Sequence, residues 1–172
     1  MSLSSPAGPV LAYLLLGSNL GDRAALLAAA RHRLAAAAGA LEARSGLYET
    51  AAWGREDQPA FLNQAVAVRT TLDAEQLLAA CLAVEQAAGR ERRERWGSRT
   101  LDVDILFFGE EISQSATLTV PHPHLTARRF ALVPLAEIAP GLRHPALQLT
   151  IRELLARCPD PLPVRPWPGA AA

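Results

Sequence analysis

Arg95-Trp96-Gly97-Ser98-Arg99-Thr100-Leu101-Asp102-Val103-Asp104-Ile105-Leu106-Phe107-Phe108-Gly109 is the stretch on which the fold turns. Its second half is rich in β-branched, aliphatic and aromatic residues and ends at a glycine, which predicts a strand from about Leu101 to Phe108. Side chains alternate along a strand, so Asp102 and Asp104 share one face. Two carboxylates side by side repel, and burying them is costly without cations. Hard oxygen ligands of this kind suit Mg²⁺, which typically takes one or two carboxylates plus substrate phosphates. A lone D-x-D more often marks acids on the wet face of a half-exposed strand. The arginines upstream shift that reading. Arg90, Arg92, Arg93, Arg95 and Arg99 crowd together, and planar guanidinium forks match phosphate oxygens. Metal-binding acids beside arginines imply a polyphosphate bridging the two.

Composition narrows the field further. The chain has 172 residues, enough for one domain with a real core. Its 17 basic residues balance 17 acidic ones, so no global field favours nucleic acid. Every one of those basic residues is arginine. The lack of lysine excludes a Walker A P-loop and a lysine Schiff base, so any ATP must be held by arginines and metal. The apolar runs are broken by charges and fall short of the roughly 18 residues of a membrane span. The start, MSLSSPAGPV, lacks the positive segment of a signal peptide, and a cytoplasmic location is expected. Cys81 and Cys158 are far apart and match no metal or redox spacing, which predicts free thiols. The domain is expected over residues 1–158. The remainder, PDPLPVRPWPGAAA, is proline-rich and predicted to be a mobile tail without regular structure.

The continuous apolar run Val10–Leu16 fits a buried central strand. It ends at Gly17-Ser18-Asn19-Leu20-Gly21-Asp22, where Asp22 is a good N-cap for a helix over Arg23–Ala38 closed near Gly39. A second strand is predicted over Leu41–Glu49 and a third over Phe61–Thr70. The polar, turn-forming segment between them (TAAWGREDQP, Thr50–Pro59) is long for a hairpin and reads as a lid. Phe61 and Asn63 lie two apart, hence on one face. An aromatic ring beside an amide suits a flat heterocycle, although a core Phe and a strand-end Asn would look the same. Asp73 caps a second helix, Ala74–Ala88, which Gly89 stops. Beyond the D-x-D strand, Pro121 and Pro123 hold Leu118–His124 extended. His122 and His124 could join a transition-metal site, but zinc usually needs at least three protein ligands and no third is near. Thr150–Cys158 reads as a short helix. The order strand, helix, strand, strand, helix, strand is that of a ferredoxin-like α+β sandwich, an antiparallel sheet with helices on one face.

The string Glu94 to Leu106, ERWGSRTLDVDIL, with the fixed R-x-x-D-x-D spacing and the motifs above, resembles the 6-hydroxymethyl-7,8-dihydropterin pyrophosphokinase family. The resemblance runs from about Tyr13 to Leu155. It implies the same fold with additions, and transfer of pyrophosphate from ATP to the pterin hydroxymethyl group, with AMP released. It implies two Mg²⁺ ions on Asp102 and Asp104, and catalytic roles for Arg90, Arg92 and Arg99. Glu85, Arg95, Trp96, Ile105, Thr119, His122 and Arg128 are implied around the nucleotide. Gly17, Thr50, Ala51, Trp53, Phe61, Asn63 and Phe130 are implied around the pterin, with Phe61 and Phe130 as its aromatic sandwich. His124 stands where many relatives have arginine and receives no role. No nucleic-acid or membrane partner is implied, and a monomer is expected. Two other classes compete: an RNA-binding domain, which would need exposed aromatics on its central strands, and a small-molecule sensor, which would need neither the acids nor the arginines.

Overall fold

In the computed structural model, which describes residues 8–52, 57–89 and 100–168, the first apolar run becomes β1 (Val10–Ser18). α1 (Arg23–Ala37) follows, and the Asp22 side chain accepts from the Ala25 N–H at its start. Such a cap is worth about 1 kcal/mol. The predicted second strand divides into β2 (Ala40–Arg44) and β3 (Tyr48–Thr50). β4 (Phe61–Thr70) is as the sequence predicts, and α2 (Ala74–Ala87) opens with a reciprocal capping box between Asp73 and Gln76. β5 (Asp102–Phe108) carries the D-x-D pair.

The sheet is antiparallel. β1 lies between β4 and β5, and both β2 and β3 pair with the far side of β4. This is the strand order of a split βαβ sandwich. The interruption of the second strand has a local cause. The Ser45 hydroxyl accepts from the Ala65 N–H while its backbone N–H donates to the Ala65 carbonyl, so a side chain replaces a backbone acceptor in the ladder. The buried Gln64 amide donates to the Ser45 carbonyl and secures the break.

One face of the sheet is packed by the two helices of the split unit. Leu14 and Leu16 of β1, Leu27 and Leu34 of α1, and Leu77 and Cys81 of α2 form that core, all fully buried. Each such leucine contributes about 1.5–3 kcal/mol. The additions fill part of the opposite face. After β6 (Ser113–Gln114), β7 (Thr119–Val120) and a 3₁₀ turn over Leu125–Ala127 come α3 (Arg129–Ile138) and α4 (Ile151–Ala156). Leu132 and Leu135 of α3 and Ile151 of α4 pack on Leu15, Ala65 and Phe107. Strict alternation would give β5 one apolar face. Instead the register with β1 shifts between Tyr13 and Leu14, and Leu106 and Phe107 both reach the second core. The bulge explains the unbroken Ile105–Phe108 run. Before the bulge the register is regular, and alternation keeps Asp102 and Asp104 on the second face while Val103 and Ile105 fill the first.

α3 lies outside the elements the sequence predicts: Pro134 inside it removes a helical donor, and burial of Ala131, Leu132 and Leu135 outweighs that loss. One expectation is corrected. The C-terminal segment does form regular structure. β8 (Val164–Pro166) pairs antiparallel with β3, and the Trp167 N–H donates to the Leu47 carbonyl. At an edge, proline needs to offer only its carbonyl, so Pro166 is compatible with a strand. Among the described residues no helix is long and apolar enough to cross a membrane.

Candidate active site

The second face of the sheet is covered by α3 and α4 at one end only, and the uncovered end is a cleft of about 380 Å³. The strand register builds its floor. Asp102 lies beside Gly17 and Gly17 beside Asn63; one step along, Asp104 lies beside Leu15. Both carboxylates therefore open into the same cavity as the amide of Asn63 and the ring of Phe61. Thr50 continues the floor through its pairing with Phe61. Proximity that was only a shared strand face in the sequence becomes one site in the fold.

Gly17 is required by a close approach. A Cβ built there would stand 2.7 Å from Asn63 Oδ1 and 3.7 Å from the Phe61 ring. The Asn63 side chain can move aside, so Gly17→Ala is expected to leave the chain folded but displace the amide. Affinity for the pterin that the sequence resemblance implies should fall several-fold if the amide holds it, on the scale of one lost hydrogen bond of about 0.5–1.5 kcal/mol. A titration with that pterin, alongside an unchanged melting temperature, checks this. Unaltered affinity would mean that the Asn63 amide does not hold it.

Glu85, in the last turn of α2, is only 4 % exposed. Its Oε1 accepts from the Val103 N–H at 2.9 Å, supplying the acceptor that a neighbouring strand would offer to the edge strand β5. It is thus no solvated surface acid. It fixes the backbone between the two aspartates. Leu78 and Leu82 share its stripe of α2 and line the same cleft, whereas Leu77, Cys81 and Val84 fill the core. The i, i+4, i+7 spacing of Leu78, Leu82 and Glu85 could have revealed this in the sequence, because the apolar stripe of α2 is too wide for one core face.

The opposite wall comes from the additions. The peptide before Pro121 is cis, and beyond it the His122 N–H donates to the Leu106 carbonyl of β5. Burial, then Arg128 and then His124 push the His122 imidazole down to about 4, while Asp102 pulls the other way. Its Nδ1 accepts from the His124 N–H at 3.2 Å, which places the ring proton on Nε2. A neutral imidazole offering one N–H can donate to an anion. His124 also lines the cleft, with its ring centroid 6.0 Å from that of His122. Arg128 and Phe130 stand at the start of α3, the guanidinium carbon 5.7 Å from the ring centroid. A cation over an aromatic face stiffens both.

Gly17, Thr50, Ala51, Phe61, Asn63, Glu85, Asp102, Asp104, His122, Arg128 and Phe130 thus surround one cavity. Ile105 is not in its wall; it is 4 % exposed and packs in the α1–α2 core. Thr119, half-buried in β7, does not line it either. Trp53, Arg90, Arg92, Arg93, Arg95, Trp96 and Arg99 lie outside the described residues. Thr50 Oγ1 is buried and has no hydrogen-bond partner among the described residues. A buried hydroxyl in a cleft wall is costly unless a bound molecule satisfies it. The donor chemistry also suits Mg²⁺. Mg²⁺ typically takes one or two carboxylates, with phosphate and water as its other ligands.

Comparison with known proteins agrees with this chemistry. Residues 13–140 match the family model described as 7,8-dihydro-6-hydroxymethylpterin-pyrophosphokinase. The chain is 49% identical over 148 residues to a 2-amino-4-hydroxy-6-hydroxymethyldihydropteridine pyrophosphokinase of Methylorubrum extorquens, covering 85% of this chain and 92% of that one. It is 44% identical over 155 residues to the protein of the same name in Pseudomonas aeruginosa, covering 86% and 91% respectively. Among solved structures it resembles a triple mutant of Plasmodium falciparum HPPK-DHPS crystallised with pteroate, at TM-score 0.71 and 19% identity. That match covers 91% of this chain but 44% of the solved one, less than half its length.

Proposed function

The chain belongs to the 7,8-dihydro-6-hydroxymethylpterin-pyrophosphokinase family, and from the cleft we propose how its residues divide the work. The enzyme transfers pyrophosphate from ATP to the hydroxymethyl group of 6-hydroxymethyl-7,8-dihydropterin, in folate biosynthesis. The pterin oxygen bonds to the β-phosphorus, the bond from that phosphorus to the α,β-bridging oxygen breaks, AMP leaves, and the hydroxyl proton is released.

Asp102 and Asp104 would hold two Mg²⁺ ions, which would supply positive charge to the triphosphate. One observation carries the division of labour: both carboxylates open on the same cavity as Phe61, Asn63 and Phe130. Phe61 and Phe130 stack on the pterin, while the Asn63 amide and the orphaned Thr50 hydroxyl bond its edge. His122 donates its Nε2 proton to a phosphate oxygen. Arg128 adds fixed positive charge on the same wall, and Glu85 keeps the aspartate pair in place. Arg90, Arg92 and Arg99 neutralise phosphate charge as it develops, and Arg95 and Trp96 lie with them at the nucleotide. Positioning and electrostatics carry most of such catalysis. The enzyme acts in the cytoplasm, as a monomer.

Calorimetric titration with a non-hydrolysable ATP analogue tests the metal assignment. Affinity should fall at least about tenfold when chelator replaces Mg²⁺, since the arginines would face the triphosphate alone. With the analogue bound, Mn²⁺ as a paramagnetic substitute should saturate at two ions per chain. Saturation at one ion would refute the two-ion site.

A further inference from the structure

The β3–β4 connection begins and ends in residues of the pterin wall. Thr50 and Phe61 are the last pair of the ladder before the chain leaves the sheet. Such terminal pairs fray unless something outside the ladder ties them. Arg23, the first residue of α1, touches both stems. Its Nη1 donates to the Ala60 carbonyl at 2.9 Å, one residue before Phe61. Its Nη2 pairs with Glu49 Oε2 at 2.7 Å, one residue before Thr50. The guanidinium carbon also lies 6.0 Å from the centroid of the Trp167 ring, at the end of β8. That tryptophan is tied in turn to the Leu47 carbonyl, upstream on the same stem. Nearby, the buried Asn19 amide donates to the Pro59 carbonyl at 3.1 Å.

A planar guanidinium suits this position. It can hold two acceptors in fixed directions while its face packs on a ring, and an ammonium cannot do both. The Arg23 side chain is 23 % exposed in its pair with Glu49, so solvent does not dominate its geometry. Arg23 does not line the cleft itself.

We propose that Arg23 is a positioning residue for the acceptor half of the site. By crosslinking Glu49 and Ala60, and by docking on Trp167, it sets the separation of Thr50 and Phe61 that the pterin meets. The C-terminal strand thereby becomes part of the substrate site, since β8 holds the outer edge of β3 and Trp167 buttresses the crosslink. The inference rests on the assignment of Thr50 and Phe61 to the pterin.

The experiment measures pterin and ATP-analogue affinities separately, with Mg²⁺ present, in Arg23→Ala, Arg23→Lys and Phe61→Ala. A displaced wall costs binding steeply, so Arg23→Ala is expected to weaken pterin about tenfold or more while leaving the nucleotide within roughly twofold. Arg23→Lys should stay weakened, because lysine keeps one acceptor and loses the other. Alanine is well tolerated at a helix start, and circular dichroism with a melting curve verifies folding. Unchanged pterin affinity in Arg23→Ala, with Phe61→Ala impaired, overturns the positioning role alone. Equal weakening of both ligands overturns it in favour of general destabilisation. Full recovery by lysine overturns the two-acceptor geometry. Unchanged pterin affinity in Phe61→Ala removes the pterin assignment and this inference with it.

Discussion

Asp102→Asn and Asp104→Asn are each expected to lower turnover by roughly 10²–10³-fold, the range seen when one preorganised electrostatic contact to a developing charge is lost. The substitution is nearly isosteric and removes one charge. Asp102 and Asp104 point into the cleft from the edge strand β5, and their strand neighbours on that face are Gly17 and Leu15. The backbone between them is held independently by Glu85. Folding should therefore survive, with a melting temperature within a few degrees of the parent enzyme. The defect should appear in kcat and in the Mg²⁺ concentration needed for half-maximal rate, while pterin affinity without nucleotide changes little. Near-normal Mg²⁺-dependent turnover in either variant would show that the cation charge is held elsewhere.

Phe61→Ala and Phe130→Ala should act on the other substrate. Stacking of an aromatic side chain on a heterocyclic base is worth about 1–3 kcal/mol, or roughly 5- to 150-fold in affinity per ring. The rings reach the cleft from different layers. Phe61 stands on β4, whereas Phe130 sits in the first turn of α3 with Arg128 over it. Truncating either leaves the buried leucines of both cores in place. Fluorescence or calorimetric titration should show the pterin weakened and the ATP analogue nearly unaffected. A small secondary effect on nucleotide is expected from Phe130→Ala, because Arg128 loses the ring that supports it. Equal loss of both ligands would mean that the walls collapse together, and the two half-sites would not be separable.

Much of the framework was legible because its signals are local. Asp22 and Asp73 announce the helix starts they cap, and Gly39 stands just past the end of α1 with φ at 140°. There an added Cβ would come 2.0 Å from the Arg69 carbonyl oxygen, so glycine alone fits the turn into β2. The period-2 placement of Asp102 and Asp104, and of Phe61 and Asn63, likewise needs only strand geometry. Where reading by periodicity faltered, a nonlocal contact outweighed a local preference. Ser45 splits a strand because its hydroxyl meets Ala65, a residue of another strand.

The sequence by itself determined the strand and helix order from β1 to β5 apart from the break at Ser45, the faces on which Asp102, Asp104, Phe61 and Asn63 lie, and the chemistry those residue types can perform. Each follows from backbone periodicity, capping and charge, which act within a few residues along the chain. Tertiary structure alone decided that Glu85 is buried on the Val103 N–H, that α3 forms across Pro134, and that the proline-rich end becomes a strand. α3 shows the reason. Its first N–H, on Arg129, finds its acceptor in the buried carboxylate of Asp160, and the Arg129 guanidinium reaches the Cys158 and Asp160 carbonyls. Those partners lie some thirty residues away in the sequence, beyond the reach of any local pattern, and only the closed fold removes the water that would otherwise compete for the same hydrogen bonds.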